Sequence, residues 1–263
     1  MSGIRVDDPA ATGARRYRGE VPPRVVFFDF HDTLGCYEPE HVALYEQAAA
    51  EYGVSLERAA LDGEARRPWI EDAWEEWRTP VGVDHSAAST DAASYRRLRI
   101  ALTRRRLAAA GVTGSVIEPI ADRVTEIESD PRHFRLFDDT RPALSALTAS
   151  GVRCYIVSNH LWELPEVASS LGLDGLIESV LTSARIGYRK PHPAVYAAAL
   201  REAGVAAGEA LFVGDSWEHD VAGPRRAGMA ALLIDRSGSS GRDDAIANLG
   251  ELIPPGGERP AIG

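Results

Sequence analysis

The chain has 263 residues, of which 44% are hydrophobic and 26% are charged, and its formal net charge is −10. These values predict a soluble protein with one sizeable domain, or with one domain that carries a large insertion. The acidic balance argues against binding to nucleic acids, whose phosphate backbone requires a cationic surface. No apolar run reaches the roughly 18 residues of a membrane span, so no membrane association is expected.

Both ends of the chain are predicted to be disordered tails. Residues 1–23 lack the apolar segment of a signal peptide, and residues 251–263 contain a run rich in proline and glycine. The two cysteines, Cys36 and Cys154, are too few for a disulfide framework. Together these features predict a protein of the reducing cytoplasm.

The first predicted strand lies within residues 24–35 and runs into the polar stretch Asp-Phe-His-Asp-Thr, residues 29–33. Residues 36–135 then carry apolar residues at helical spacing, in four segments at 41–53, 68–77, 94–111 and 115–130. An uninterrupted series of helices after the first strand predicts a smaller, all-helical cap domain, inserted at 36–135 and lying over the carboxyl edge of the sheet.

Two features of this insertion have both a functional and a structural interpretation. Six arginines between positions 96 and 106 either recognise an anionic substrate or form a solvated helix face. The solvated face is favoured, because Tyr95, Leu98 and Leu102 already form the buried stripe of the same helix. A stripe of tryptophans is expected inside the cap rather than on a stacking platform, and its members are Trp69, Trp74 and Trp77.

In the second half of the chain, short apolar strands alternate with helical segments. The predicted strands are 153–159, 179–183, 210–215 and 230–235. Strands that are buried on both faces and separated by helices are typical of a doubly wound parallel sheet. The predicted fold class is therefore α/β, with a Rossmann-like core formed by residues 24–35 and 136–250.

Polar residues cluster where these strands end, which is where a doubly wound sheet binds its ligands. The four stretches concerned are DFHDT (29–33), VSN (157–159), YRKP (188–191) and GDSWEHD (214–220). Lys190 is the single lysine among 29 basic residues, which indicates a site that needs a compact ammonium rather than a planar guanidinium. This ordered set resembles the haloacid dehalogenase superfamily of hydrolases, most of which are phosphatases, over residues 24–235.

The chemistry of phosphoryl transfer, read with this resemblance, implies a role for each acid. Asp29 supplies a carboxylate nucleophile that forms an aspartyl-phosphate. Asp29 and Asp215 end neighbouring strands and share one Mg²⁺, with the backbone carbonyl of His31 as a further ligand in the family's arrangement. Asp220 orients Lys190 or metal-bound water, and Asp32 secures its loop by accepting backbone N–H bonds.

The remaining residues are expected to bind the phosphoryl group. Thr33, Ser158 and the backbone N–H of Asn159 would bind its oxygens at helix N-termini. Lys190 would neutralise both Asp29 and the phosphate, and Ser216 is expected to support the site.

His31 departs from the family pattern. Phosphatases of the family carry DxDGT, in which the second aspartate protonates the leaving group and then activates water, whereas this chain has His31 there and Asp32 in place of the glycine. An imidazole, with a pKa of about 6.5, is suited to the same proton transfers. Two alternatives stay open: a dehalogenase-type hydrolase in which His31 only shapes the pocket, and a weakened site in a binding protein.

The first alternative is less favoured, because the family's dehalogenases replace the first acid of GDSWEHD by asparagine and work without metal. The sequence of the insertion contains no motif that identifies the substrate beyond a small phosphorylated molecule. Oligomeric state is equally beyond sequence reasoning.

Overall fold

The computed structural model describes residues 23–61 and 73–253, and its centre is a parallel β-sheet. The strands are β1 (Val25–Phe28), β2 (Gly35–Tyr37), β3 (Arg78–Thr79), β4 (Gly82–Asp84), β5 (Phe134–Leu136), β6 (Arg153–Ser158), β7 (Ser179–Thr182), β8 (Tyr188–Arg189), β9 (Ala210–Gly214) and β10 (Ala230–Leu233). Five of them form the main sheet in the order β10–β9–β1–β6–β7, and every pair is parallel. The prediction of an α/β, doubly wound fold is confirmed.

Helices cover this sheet and fill the insertion. They are α1 (His41–Ala50), α2 (Arg58–Leu61), α3 (Ala92–Ala109), α4 (Ile117–Ser129), α5 (Thr140–Ala149), α6 (Leu164–Ser170), α7 (Ser183–Ile186), α8 (Pro193–Ala203) and α9 (Gly223–Arg226). A π-helix, Trp217–Ala222, precedes α9. None of the helices within the described ranges is long and apolar enough to span a bilayer.

The central strand β1 shows why the sheet is buried on both faces. Its four residues are all buried, and they alternate between two apolar clusters, one on each side of the sheet. Val26 and Phe28 belong to one cluster. Val25 and Phe27 belong to the other. Because β1 pairs with β6 on one side and β9 on the other, the residues that follow these three strands meet at one edge.

The insertion has its own apolar interior, formed mainly between α1 and α4, with Leu44 and Ile120 fully buried in it. Most of the six arginines at 96–106 form ion pairs with acids of other segments, so this helix face is not simply solvated. Arg96 pairs with Asp122, and Arg104 pairs with Glu118. Arg99 pairs with the buried Glu128, and Arg105 pairs with Glu76. The charges therefore bind α3 to its neighbours, chiefly α4.

The insertion contains short strands, which the sequence prediction of an all-helical cap did not include. β2 and β5 pair antiparallel across the two predicted boundaries, 35/36 and 135/136, so the division into core and cap remains a prediction. β3 and β4 form a hairpin, and β4 pairs in turn with β8, which directly precedes Lys190. Strands of two or three residues leave no periodic pattern in a sequence, which is why they escape prediction.

Some sequence predictions concern residues beyond the described ranges. Residues 1–22 and 254–263 of the two predicted tails lie outside them, and so does Trp69. A short 3₁₀ helix, Leu249–Leu252, runs past the predicted start of the C-terminal tail at residue 251. Trp74 and Trp77 contact each other edge-on, with 5.8 Å between ring centroids, inside a cluster with residues of α3.

A close contact between Gly187, just before β8, and Ser86, just after the hairpin, leads to a stability prediction. Gly187 has φ +89°, and a Cβ there would lie 2.8 Å from the Cα of Ser86. Gly151 has a similar φ of +85° with no atom within 4 Å of a built Cβ. We expect Gly151→Ala to lower the free energy of unfolding by about 1–2 kcal/mol, the cost of the left-handed conformation.

Gly187→Ala should lower the free energy of unfolding clearly more, because the backbone at Ser86, just after the hairpin, must also move. Denaturant titration of both variants measures the difference. Equal losses of unfolding free energy in the two variants would mean that Ser86 leaves room for a side chain at position 187.

Candidate active site

Lys190 is buried at the carboxyl edge of the sheet, with 3% of its surface exposed. Its ammonium donates to Asp29 Oδ1 at 2.8 Å, to Asp220 Oδ1 at 2.6 Å and to the carbonyl of Val157 at 3.0 Å. Burial acts to lower the pKa of Lys190, but the charges of Asp220 and Asp29 outweigh it and raise the pKa above its ordinary value. Three acceptors thus match the three donors of an ammonium.

Asn159 holds the main chain of this lysine. Its side-chain amide donates to the carbonyl of Lys190 at 2.9 Å, and its side-chain oxygen accepts from the N–H of Lys190 at 2.7 Å. A paired contact of this kind fixes the position of the loop at the end of β6. The sequence motif predicts a role for the backbone N–H of Asn159, but it does not predict this role for the side chain.

Asp29, Asp215 and Asp220 form a cluster of carboxylates whose oxygens lie within 4.8 Å of one another. Burial acts to raise the pKa of Asp29, yet the charge and hydrogen bond of Lys190 outweigh it and hold the pKa below its usual value. The pKa of Asp215 is raised to about 8, first by desolvation and then by the charges of Asp29 and Asp220. The cluster therefore has more negative charge than the single ammonium balances.

Asp220 links Lys190 to the loop after β9. One of its oxygens accepts from Lys190, and the other accepts from the N–H of Ser216 at 3.0 Å. The carboxyl carbon would lie 2.4 Å from a Cβ at Gly214, so only glycine leaves room for it. Ser216 thus supports the site through its backbone, and Asp220 contacts the lysine, as one of the two sequence alternatives expected.

Thr33 and Ser158 are buried beside Asp29. The hydroxyl of Thr33 is buried and has no hydrogen-bond partner among the described residues, which is unusual for a buried polar group. The Ser158 hydroxyl interacts with the Asp29 carboxylate and helps to lower its pKa. The expectation that these residues lie at helix N-termini is wrong, because β2 follows Thr33 and the first helical residue after Ser158 is Leu164.

An arginine far along the chain fixes the loop that carries Thr33. Arg236 donates to the carbonyl of Thr33 at 2.6 Å and forms a two-pronged ion pair with Asp139, with both distances 3.0 Å. Its guanidinium also lies 4.0 Å from the centre of the Phe137 ring. Sequence reasoning did not identify this group, since no motif surrounds Arg236.

His31 lies at the mouth of the site, with 36% of its side chain exposed. Its Nδ1 is buried without a hydrogen-bond partner in the described part of the chain. Its Nε2 lies 3.7 Å from a carboxylate oxygen of Asp32. The ring packs near Tyr37, with 5.3 Å between centroids, and near His160, with 6.4 Å.

Asp32 does not accept backbone N–H bonds from the described residues, so the expected Asx-type cap is wrong. Its backbone has φ +56°, and its N–H donates to the carbonyl of Gly35 at 2.8 Å. This left-handed conformation accounts for the glycine of the family pattern and is tolerated by aspartate better than by most residues. The carboxylate faces His31 instead.

His160 is a neighbour of the site that the sequence did not single out. It is buried against Phe30 and Phe134, and burial lowers its pKa to about 3, so the ring is neutral. Its Nδ1 has no partner among the described residues.

A family model of haloacid dehalogenase-like hydrolases matches residues 23–228. The chain belongs to this family. It is a hydrolase, and its relatives include enzymes named as phosphatases.

Individual relatives cover most of the chain. The human haloacid dehalogenase-like hydrolase domain-containing protein 3 is 27% identical over 212 residues, covering 80% of this chain and 81% of the relative. Phosphoserine phosphatase of Thermus thermophilus is 26% identical over 230 residues, covering 81% and 89%. The structure of a 2-haloacid dehalogenase from Pseudomonas syringae is 27% identical with a TM-score of 0.59, covering 88% and 96%.

The geometry around Lys190 predicts that arginine cannot replace it. The three acceptors lie within 3.0 Å of one ammonium, and the Phe212 ring closes the space, with its centre 5.2 Å from Nζ. We expect Lys190→Arg to lower hydrolysis of p-nitrophenyl phosphate by about 10²-fold or more, as much as Lys190→Ala, because a wider planar group displaces the carboxylates.

The control is Arg185→Lys, since Arg185 forms an exposed pair with Glu166. Steady-state rates, with circular dichroism to confirm folding, provide the test. Nearly full turnover by Lys190→Arg would contradict the geometric argument.

Proposed function

We propose that the protein is a Mg²⁺-dependent phosphatase of a small phosphorylated metabolite, acting through an aspartyl-phosphate at Asp29. The observation that carries this proposal is the cluster of Asp29, Asp215 and Asp220 around one buried lysine. The relative named phosphoserine phosphatase supports a phosphate ester as the substrate class. We place the activity in the cytoplasm, in keeping with the unpaired Cys36 and Cys154.

Asp29 is suited to the role of nucleophile. Its lowered pKa keeps it ionised at neutral pH, which is the form that attacks phosphorus. Attack forms a bond between a carboxylate oxygen and phosphorus while the ester P–O bond breaks. Water then hydrolyses the aspartyl-phosphate and restores the carboxylate. Lys190 holds Asp29 in place and balances the charge that develops on the phosphoryl oxygens.

The donor set of the site fits a hard divalent cation. Asp29, Asp215 and the backbone carbonyl of His31 would hold Mg²⁺, which prefers oxygen ligands. The pKa of Asp215 is raised by desolvation and then by the negative charges of Asp29 and Asp220, and a cation would relieve this repulsion between carboxylates, which supports the assignment. When bound, the ion supplies positive charge that stabilises the transferring phosphoryl group.

The phosphoryl oxygens would be bound by hydroxyls and a backbone amide. Thr33 has a buried hydroxyl with no partner among the described residues, and a phosphoryl oxygen would satisfy it. Ser158 and the N–H of Asn159 lie at the end of the adjacent strand β6. These contacts position the ester for attack by Asp29 without any contribution from a helix N-terminus.

His31 is proposed as the general acid and base. It stands two residues after Asp29, and its ring is partly exposed, which would let it contact the leaving group. The imidazole would donate a proton to the ester oxygen as the P–O bond breaks and later accept one from the attacking water. Asp32 and Tyr37 contact the ring and would orient it.

A dehalogenase-type reaction is the second candidate, supported by the similarity to the 2-haloacid dehalogenase of Pseudomonas syringae. The acid at position 215 favours the phosphatase. A carboxylate there adds charge that only a cation balances, whereas carbon–halogen cleavage by a carboxylate needs no metal. The same assay can separate the two reactions.

The purified protein should release phosphate from members of a panel of phosphate esters, including phosphoserine and p-nitrophenyl phosphate, when Mg²⁺ is present. A chelator should abolish the release, and Asp29→Asn should lower it by at least about 10³-fold, because no covalent intermediate can form. Asp243→Asn, at an exposed acid, is the matched control. Chloride release from 2-chloropropionate without metal would favour the dehalogenase, and no turnover of either class would favour a binding role.

His31→Ala should act selectively on poor leaving groups. Loss of a general acid is expected to slow an alkyl phosphate by about 10² to 10⁴-fold and p-nitrophenyl phosphate much less, because nitrophenolate leaves without a proton. Comparing kcat for the two esters measures this selectivity.

Asp243→Asn, at an exposed acid, is again the control and should leave both rates unchanged. Equal losses of kcat on both esters in His31→Ala would mean that His31 only shapes the pocket and is not the general acid.

A further inference from the structure

Arg189 directly precedes Lys190 and is held in place from the side of the insertion. It ends strand β8, where its backbone pairs with Val83 of β4. Its guanidinium carbon lies 4.5 Å from the centre of the Trp74 ring, so the planar group is in contact with the aromatic face. Backbone and side chain are therefore both fixed before any ligand binds.

The guanidinium of Arg189 is only partly exposed, yet it forms no hydrogen bond or ion pair with the described residues. Two cations near Arg189, one adjacent in sequence and one that acts on its pKa, are both paired. Lys190 contacts Asp29 and Asp220, and Arg99 contacts Glu128. A half-buried charge that lacks an acid partner is costly, which makes Arg189 an exception among the cations of this region.

Electrostatics agree with this geometry. Burial lowers the pKa of Arg189; Tyr95 and Asp29 oppose the shift, and the charge of Arg99 adds to it. Burial lowers the pKa of His219, in the π-helix Trp217–Ala222, and the charges of Lys190 and Arg189 lower it further. Arg189 is thus within electrostatic reach of the reacting carboxylate and lies between the sheet edge and the insertion.

We propose that Arg189 binds a carboxylate on the leaving group of the substrate, so that the enzyme prefers phosphate esters that carry a carboxylate. This inference rests on the proposed function, because it takes the phosphoryl group to lie at Asp29 and Lys190. Arg189 is then the residue that determines specificity on the insertion side of the site.

A carboxylate fits better than a second phosphate for two reasons. The free charge at Arg189 is a single positive charge, which one carboxylate balances and a dianionic phosphate exceeds. The guanidinium has one face against Trp74, which leaves its edge for a planar, two-pronged acceptor. A carboxylate has that shape, whereas an uncharged hydroxyl would leave the charge unbalanced.

The inference can be tested by binding, without turnover. Phosphonoacetate carries a carboxylate and ethylphosphonate does not, and neither can be hydrolysed at its P–C bond. Calorimetric titration of the full-length protein with Mg²⁺ should show phosphonoacetate binding at least about tenfold more tightly, the effect of one charge-assisted hydrogen-bonded contact.

In Arg189→Gln the ratio of the two affinities should fall towards one. In Arg189→Lys it should fall less, because the charge remains and the two-pronged geometry is lost. The readout is a ratio, so a general weakening of the phosphonate site cancels. Arg185→Gln is the matched control, because it removes an exposed guanidinium that is already paired with Glu166.

Equal affinities of the unaltered protein for the two phosphonates would overturn the inference, and so would an unchanged ratio in Arg189→Gln. Turnover of phosphoglycolate and 2-hydroxyethyl phosphate gives the separate test of the proposed function. Discrimination between the phosphonates without phosphate release from either ester would contradict the phosphatase and leave the carboxylate site standing.

Discussion

The site depends on one buried contact, in which a single ammonium lies between two carboxylates of the sheet edge. Burying charges is costly, and the cost is offset only when each charge finds a close partner. Lys190 meets Asp29 at 2.8 Å and Asp220 at 2.6 Å, so those two acids stay in place. One ammonium cannot also balance Asp215, whose pKa is raised by desolvation and by the charges of Asp29 and Asp220. This excess of carboxylates at the sheet edge is the feature on which the proposed cation site rests.

Residues without catalytic chemistry hold this contact in position. Asn159 clamps the main chain of Lys190, and Gly214 leaves space for the Asp220 carboxyl. Arg236 ties the loop of Thr33 to Asp139. Each comes from a different segment, so the site is assembled only when the whole sheet has formed. Such support would hold the hydroxyls and the amine in position for the proposed phosphoryl transfer.

Much of this arrangement could be predicted because strand ends leave a readable pattern. Asp29, Ser158 and Asp215 follow buried apolar runs, and parallel strands bring such residues to one edge. The support groups escaped prediction for the opposite reason. Arg236 contacts Thr33 from about 200 residues further along the chain, and no motif surrounds it. The side chain of Asn159 binds the main chain of Lys190, and no sequence motif indicates such a contact. Asp32 shows a further limit of sequence prediction. It occupies the position of the family's glycine, and the sequence does not reveal whether the backbone there keeps the left-handed conformation.

The pairing of β4 with β8 has a mechanical consequence. The hairpin of the insertion and the segment that leads to Lys190 share one antiparallel ladder, extended by the N–H of His85 donating to the carbonyl of Gly187 at 2.8 Å. A rotation of the insertion against the sheet would therefore pull directly on the peptide that carries the ammonium. A movement of the insertion would therefore change the position of the Lys190 ammonium, because a few backbone hydrogen bonds join the two segments.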